Sequence, residues 1–252
     1  MENNESIVSS NRVSTKKIKR LDSNIIELYL ALPDRAGVVS RALDKLGIVS
    51  TIPSVKLKSI IPGGSVVGQA ITVRNIPENQ SPYKRWMQKE TTNLGERDAY
   101  FIAEKGDVII IDGISVYPAS CLGSMSTRLA KSLGISGIVV NGCITGVNGI
   151  IDNNLPVWAL GGTTITGHQR VETIEINGPI GIMGMRIEPG DLVIGDGSGI
   201  TVVPFNQAEE VLKQAQKLVS LGSRIKQCLE TGANRNLIRK ELKKQMENMP
   251  NT

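Results

Sequence analysis

The stretch that decides the fold is Val108–Asn154, VIIIDGISVYPASCLGSMSTRLAKSLGISGIVVNGCITGVNGIIDNN. It opens on a β-branched run, Val108 to Asp112, too short for a free-standing helix and too apolar to be exposed, which predicts a strand buried on both faces. From Ala119 to Gly134, Leu122, Met125, Leu129 and Leu133 recur at spacings of three and four, the stripe of a helix that lies on the sheet and stops at Gly134. Gly137 to Asn141 is a second short apolar run. The order strand, crossover helix, strand requires a parallel pair with a right-handed connection. Both strands then end on one edge, which carries Asp112 and Asn141 beside a helix start at Gly123, Ser124 and Met125. Ligands of open parallel sheets sit outside the carboxyl ends of the strands, and a helix start offers unpaired N–H groups and a positive dipole end. The candidate site is placed there.

Outward from this unit the chain is less regular. Residues 1–22 are polar and lack an apolar period, which predicts a disordered leader outside the fold. Asp34 is read as the cap of a helix with Val38, Val39, Ala42, Leu43 and Leu46 at helical spacing. Ser65–Val73 reads as a strand in which Gly68 marks a close backbone approach or a bulge. Between Arg74 and Lys105, Tyr83, Trp86 and Met87 are the expected anchors of a short helix. Pro156–Leu160 reads as a strand and Gly161–Gly167 as a loop. Residues 171–204 alternate short strands with turns, a small antiparallel β layer with hairpin signals at ProGlyAsp and AspGlySerGly. Two amphipathic helices follow, one with Val211, Leu212, Ala215, Leu218 and Val219 on a face, the other after Gly232 with Leu237, Ile238, Leu242 and Met246. The expected organisation is a leader over 1–22, an α/β/β domain over 23–206, and carboxy-terminal helices over 207–252 that pack on a neighbouring subunit.

Composition narrows the function classes. A chain of 252 residues can bury a full core without a disulfide or metal staple. Cys121, Cys143 and Cys228 are odd in number and widely spaced, with no zinc-type spacing, which fits a reducing cytoplasmic compartment. No apolar run approaches the length needed to cross a bilayer, so no membrane association is expected. The formal charge is +5 and the isoelectric point about 9.1. Much of the surplus sits in Lys16, Lys17, Lys19 and Arg20 and in Arg239, Lys240, Lys243 and Lys244. With two Phe, four Tyr and two Trp there are few platforms for base stacking, and nucleic acid is not an expected partner. No P-loop and no GxGxxG opens a helix after a strand.

Within the site, free amides at Gly123–Ser126 and the hydroxyls of Ser124 and Ser126 suit a small carboxylate or phosphate, although the same residues make an ordinary helix cap. Asn141 and Thr145 are read as lining the same pocket, or as a polar loop. Cys143 and the single histidine, His168, are a nucleophile and base pair only if the fold brings them together. Asp112 is a base or a turn cap, and Asp196 a turn residue. No catalytic residue is assigned.

The ordered pieces GDVIIIDG, A..LG......A...GI.GIVVNG, LPVWALG, EPGDLVIGDGSGITVVP and AEEVLKQAQ resemble the family of 4-hydroxy-4-methyl-2-oxoglutarate aldolase and the regulator of ribonuclease E activity, RraA, over roughly residues 24–235. The resemblance implies an α/β/β sandwich with a parallel β-α-β core, an antiparallel β layer and carboxy-terminal helices, assembled as a homotrimer or hexamer. It also implies lyase chemistry: a pyruvate-like carboxylate gripped by amides at the start of the central helix, an Arg and a divalent metal such as magnesium that polarises the carbonyl. In the family the strand after that helix runs into DGxxRD, with the Arg holding substrate and the last Asp holding metal. Here the segment is NGCITG, so Asn141 stands for the first Asp, Thr145 for the Arg and Gly146 for the metal-binding Asp. Ser124 stands for an acidic residue at the helix start. A carboxylate from the carboxy-terminal helix falls near Gly222 or Ser223. The expected ligand is a small carboxylate or other small polar molecule bound at Gly123, Ser124, Met125, Ser126, Asn141 and Thr145, with no metal and no cofactor. The alternative is a non-catalytic protein that binds a small anion or a sugar, or a regulator that binds a protein partner as RraA does.

Overall fold

The computed structural model describes residues 6–14 and 18–247. Its helices are α1 (Ser23–Leu30), α2 (Arg35–Lys45), α3 (Pro82–Met87), α4 (Glu96–Ile102), α5 (Ser124–Ser132), α6 (Val147–Asn153), α7 (Ala208–Glu230) and α8 (Arg235–Glu247). Its strands are β1 (Thr51–Pro53), β2 (Lys58–Ser59), β3 (Val66–Pro77), β4 (Val108–Asp112), β5 (Ser120–Leu122), β6 (Gly137–Ile144), β7 (Val157–Gly162), β8 (Val171–Ile176), β9 (Ile180–Ile182), β10 (Met185–Ile187), β11 (Leu192–Asp196) and β12 (Gly199–Val203).

The long strand β3 joins the two halves of the sheet. Its middle, Ala70–Arg74, pairs in parallel with β4, which pairs in parallel with β6, which pairs in parallel with β7. Its first residues pair antiparallel with β11, and its last pair antiparallel with β8. Thus β-branched residues that alternate at period two bury both faces. Ile71, Val73, Ile109, Ile111, Ile138 and Val140 pack under α4 and α5 on one side, while Ala70, Val108, Ile110 and Val139 pack with Trp158 and the β9–β10 hairpin on the other. A third cluster lies where α1, α2 and α7 cover β11 and β12. Gly68 is a close approach, as expected: a Cβ there would collide with the carbonyl of Gly106.

Several expectations need correction. Leu122, read as part of the helical stripe, lies instead in the short strand Ser120–Leu122 beside β6, and the helix starts at Ser124. Its buried face is Ser126, Thr127 and Ala130, whereas Met125 is 67% exposed. Of Tyr83, Trp86 and Met87, none anchors α3. All three are exposed, and the anchor is Arg85, buried between Glu78 (3.1 Å) and Glu90 (2.8 Å). The ProGlyAsp turn links β10 to β11, which lie in different sheets, while AspGlySerGly does join the paired β11 and β12. The leader is packed where it is described. Val8 is buried over Gly95 and its N–H donates to Asp98 (2.7 Å), Arg12 pairs with Glu172, and Arg20 pairs with Asp107. One valine and two arginines make no period, so a pattern reading misses them. Residues 1–5 and 15–17 of that segment lie outside the described residues. On the carboxy-terminal side, α7 buries Val211, Leu212, Ala215 and Leu218 against its own chain, and its continuation and α8 are more exposed.

Candidate functional site

Four parallel strands present their carboxyl ends on one edge, and α5 begins there. Gly123 ends β5's extension in an extended conformation (φ −128°, ψ 171°) and gives α5 no side-chain cap. The first-turn amides, Ser124 to Ser126, therefore meet no capping oxygen from the residue that normally supplies one. The turn is held from behind instead. Thr127 N–H donates to the Gly123 carbonyl (3.1 Å), Thr127 Oγ1 donates to the Ser124 carbonyl (2.8 Å), and Asn153 Nδ2 donates to that carbonyl (2.7 Å) and to Thr127 Oγ1 (2.8 Å).

The turn after β6 closes on the same place. Thr145 N–H donates to the Leu122 carbonyl (2.9 Å), and its methyl group is the nearest atom to Gly123, 3.5 Å from where a Cβ would stand. Gly146 is left-handed (φ +69°), and a Cβ on it would lie 3.0 Å from Ser124 Oγ and 3.5 Å from Ser124 N. Gly123, Ser124 and Thr145 are thus brought together, with Gly146 as a neighbour that pattern reading takes only from the resemblance. Met125 points to solvent. Ser126 turns inward, with its hydroxyl donating to Glu96 Oε1 (2.7 Å) and lying 2.9 Å from Tyr100 OH. Asn141 is not part of this group. It alternates with Val139 on the sheet's other face, where Nδ2 donates to Asp112 Oδ1 (3.2 Å) and Oδ1 is buried with no hydrogen-bond partner.

Burial dominates the electrostatics. It pushes Glu96 up to about 7 against a hydrogen bond from Ser126 and the charge of Arg97. Burial raises Asp112 as well, opposed by the Ile114 N–H, Asn141 and Arg74. It pushes the Cys121 thiol up to about 12 and raises Cys143. Reactive cysteines need the opposite shift, and His168, the expected base, is an exposed loop residue while Cys143 is buried. Beside the edge is a hollow of about 530 Å³ lined by Ile114 and Tyr117 and by Cys143, Leu160, Gly161 and Gly162 at the ends of β6 and β7, which sequence reasoning did not find because it read Gly161 and Gly162 as a loop. A larger one of about 630 Å³, lined by Lys19, Glu175, Arg186 and Phe205 among others, shares no lining residue with the ends of β4, β6 and β7. Among the described residues, no three His, Cys, Asp or Glu side chains converge as a metal site would require, and no helix is long and apolar enough to cross a membrane.

The family profile described as Aldolase/RraA, RraA-like, matches residues 34–202, which run from α2 to all but the last residue of β12. The chain belongs to this family. A relative in Halalkalibacterium halodurans, named as a candidate 4-hydroxy-4-methyl-2-oxoglutarate aldolase, is 34% identical over 170 residues, covering 66% of this chain and 80% of that protein. Among solved RraA-like folds, an uncharacterized protein from Pseudomonas syringae pv. tomato superimposes with a TM-score of 0.72 at 26% identity, over 88% of this chain and 99% of that one. Streptomyces coelicolor RraAS2, described as an unusual member of the RNase ES inhibitor RraA family, superimposes with a TM-score of 0.66 at 23% identity, over 80% of this chain and 94% of that one. The superposition with the Pseudomonas syringae protein thus covers more of the chain than the profile does.

Proposed function

We propose that this RraA-like chain holds a small carboxylate of the pyruvate type at the first turn of α5, and that the metal-dependent lyase chemistry of the family, retro-aldol cleavage or oxaloacetate decarboxylation, is weak or absent in it. One observation carries the reading. The position matching the family's metal-binding Asp is Gly146, which has no donor atom in its side chain, and a Cβ there would crowd Ser124 at a left-handed backbone position. A hard cation needs carboxylate oxygens, whereas Ser124 and Thr145 offer neutral hydroxyls and Asn141 faces away. The residues do not fit the metal. What remains are backbone amides and the dipole of a helix start, which suit an anion. Loss of a principal electrostatic stabiliser costs on the order of a hundredfold or more in rate.

The test incubates the protein with 4-hydroxy-4-methyl-2-oxoglutarate and with oxaloacetate, with and without magnesium or manganese, and follows pyruvate through a coupled dehydrogenase against a protein-free control. No metal-dependent gain over the control is expected. Robust turnover abolished by a chelator would overturn the reading. A second reading, a non-catalytic regulator that binds a protein partner, is favoured by the exposed Tyr83, Trp86 and Met87 of α3 and Phe101 of α4. The exposed Leu229, Leu237 and Leu242 of α7 and α8 favour assembly as a homotrimer or hexamer.

A further inference from the structure

Helices α4 and α5 meet through three polar groups shut away from water. Glu96 opens α4, Tyr100 follows one turn later, and Ser126 lies in the first turn of α5; their exposures are 3%, 2% and 0%. The Ser126 hydroxyl donates its one proton to Glu96 Oε1 (2.7 Å), so the second contact, 2.9 Å to Tyr100, is a bond from the phenol to Ser126 Oγ. Donation runs from Tyr100 to Ser126 to Glu96.

The surroundings supply little charge to balance an ionised Glu96. Arg97 Nε stands 3.8 Å away, beyond hydrogen-bond range, on a side chain that is 44% exposed. Asp98, on the same helix, adds like charge, and the titratable groups facing Glu96 from around it are Tyr100 and, from β5, the Cys121 thiol. A buried carboxyl in this position is favoured as the neutral acid, which can donate to Ser126 and reverse the chain without leaving a charge inside. The contacts around α4 also show what would yield. Its cap Gly95 is covered by Val8, a residue of the leader that is tied down chiefly by Asp98.

We propose that Glu96, Ser126 and Tyr100 form a proton-linked latch between α4 and α5, closed while Glu96 is neutral and loosened when it ionises. Ionisation draws the carboxylate toward water, and the first turns of both helices shift with it. The buried position sets the midpoint near 7. Because this lies above the ordinary value of 4.5, the stability the latch contributes is complete below about 4.5 and is lost as pH rises through about 7.

The full chain, labelled with ¹⁵N, is titrated from pH 5 to 9 by NMR. Amides of Gly95–Asp98 and Ser124–Thr127 are expected to shift together with a midpoint near 7. The Glu96→Gln variant should lose that titration and should not share the wild type's fall in melting temperature between pH 5 and 8. Ser126→Ala removes the bond that favours the carboxylate, so its midpoint should move upward, and this variant carries the test alone if Glu96→Gln fails to fold. Amides that do not titrate in the wild type, a titration that persists in Glu96→Gln, or a midpoint unmoved in Ser126→Ala would each overturn the proposal.

Discussion

Among the helices that begin at glycine or left-handed turns without a side-chain cap, α2 and α5 are treated in opposite ways. At α2, Asp34 sits in the left-handed region (φ 41°) and its side chain accepts nothing from the helix, against its expected role as cap. The work is done from 160 residues away: Asp196, at the end of β11, accepts from Ala36 N–H (3.1 Å) and, through its other oxygen, from Ser198 N–H (2.7 Å). At α5, Gly123 also gives no cap, but no carboxylate arrives. The buried carboxylate of Glu96 engages the hydroxyl of Ser126 instead, and the side chains beside the turn are the neutral Ser124 and Thr145. A helix start that is given an internal anion is a structural joint. One whose first turn carries no side-chain cap, at the carboxyl edge of a parallel sheet, suits an external anion.

Breaking the first joint should have the larger effect. Asp196→Ala removes the cap of α2 and the turn that joins β11 to β12, and it should cost about 2 kcal/mol, a fall in melting temperature of roughly 4–8 °C. Thermal unfolding checks it, and a variant as stable as the wild type would mean that Asp196 is not what holds α2. Supplying the missing cap to α5 should act in the other direction. The backbone of Gly123 is extended and its Cβ position is clear, so Gly123→Asp can place a carboxylate over the first-turn amides without strain. It should add about 1 kcal/mol of stability and weaken the binding of an external carboxylate by about tenfold or more. A destabilised variant that binds as well as the wild type would erase the contrast between the two starts.

How much of this was legible in the sequence follows the range of the interactions. The strands at Val108–Asp112 and from Gly137 declare themselves because burial on both faces demands unbroken β-branched runs. The fit of Gly68 against Gly106 and the β11–β12 turn are local enough to read, and the ordered motifs identify the family. The start of α5 is placed correctly to a residue by its glycine, yet its inner face is not. Ser126 looks like a surface hydroxyl until Glu96 and Tyr100, distant in sequence, are folded against it. The role of Asp196 is hidden for the same reason, since a turn residue with one oxygen on its own loop has a second that no local pattern assigns. Asn141 fails by parity: counted along β6 it belongs to the site, but alternation puts its amide on the far face with Asp112.

The central claim is that the first turn of α5 takes a small carboxylate without a metal. Oxalate is a dianion throughout the neutral range, so metal-stripped protein titrated with oxalate at pH 6, followed by isothermal calorimetry and by backbone amide shifts, tests it most directly. Saturable binding is expected, with the largest shifts at Ser124, Met125 and Ser126, and loss of both signals in Gly123→Asp. Shifts centred elsewhere on the surface, or binding that appears only after magnesium or manganese is restored, would contradict it.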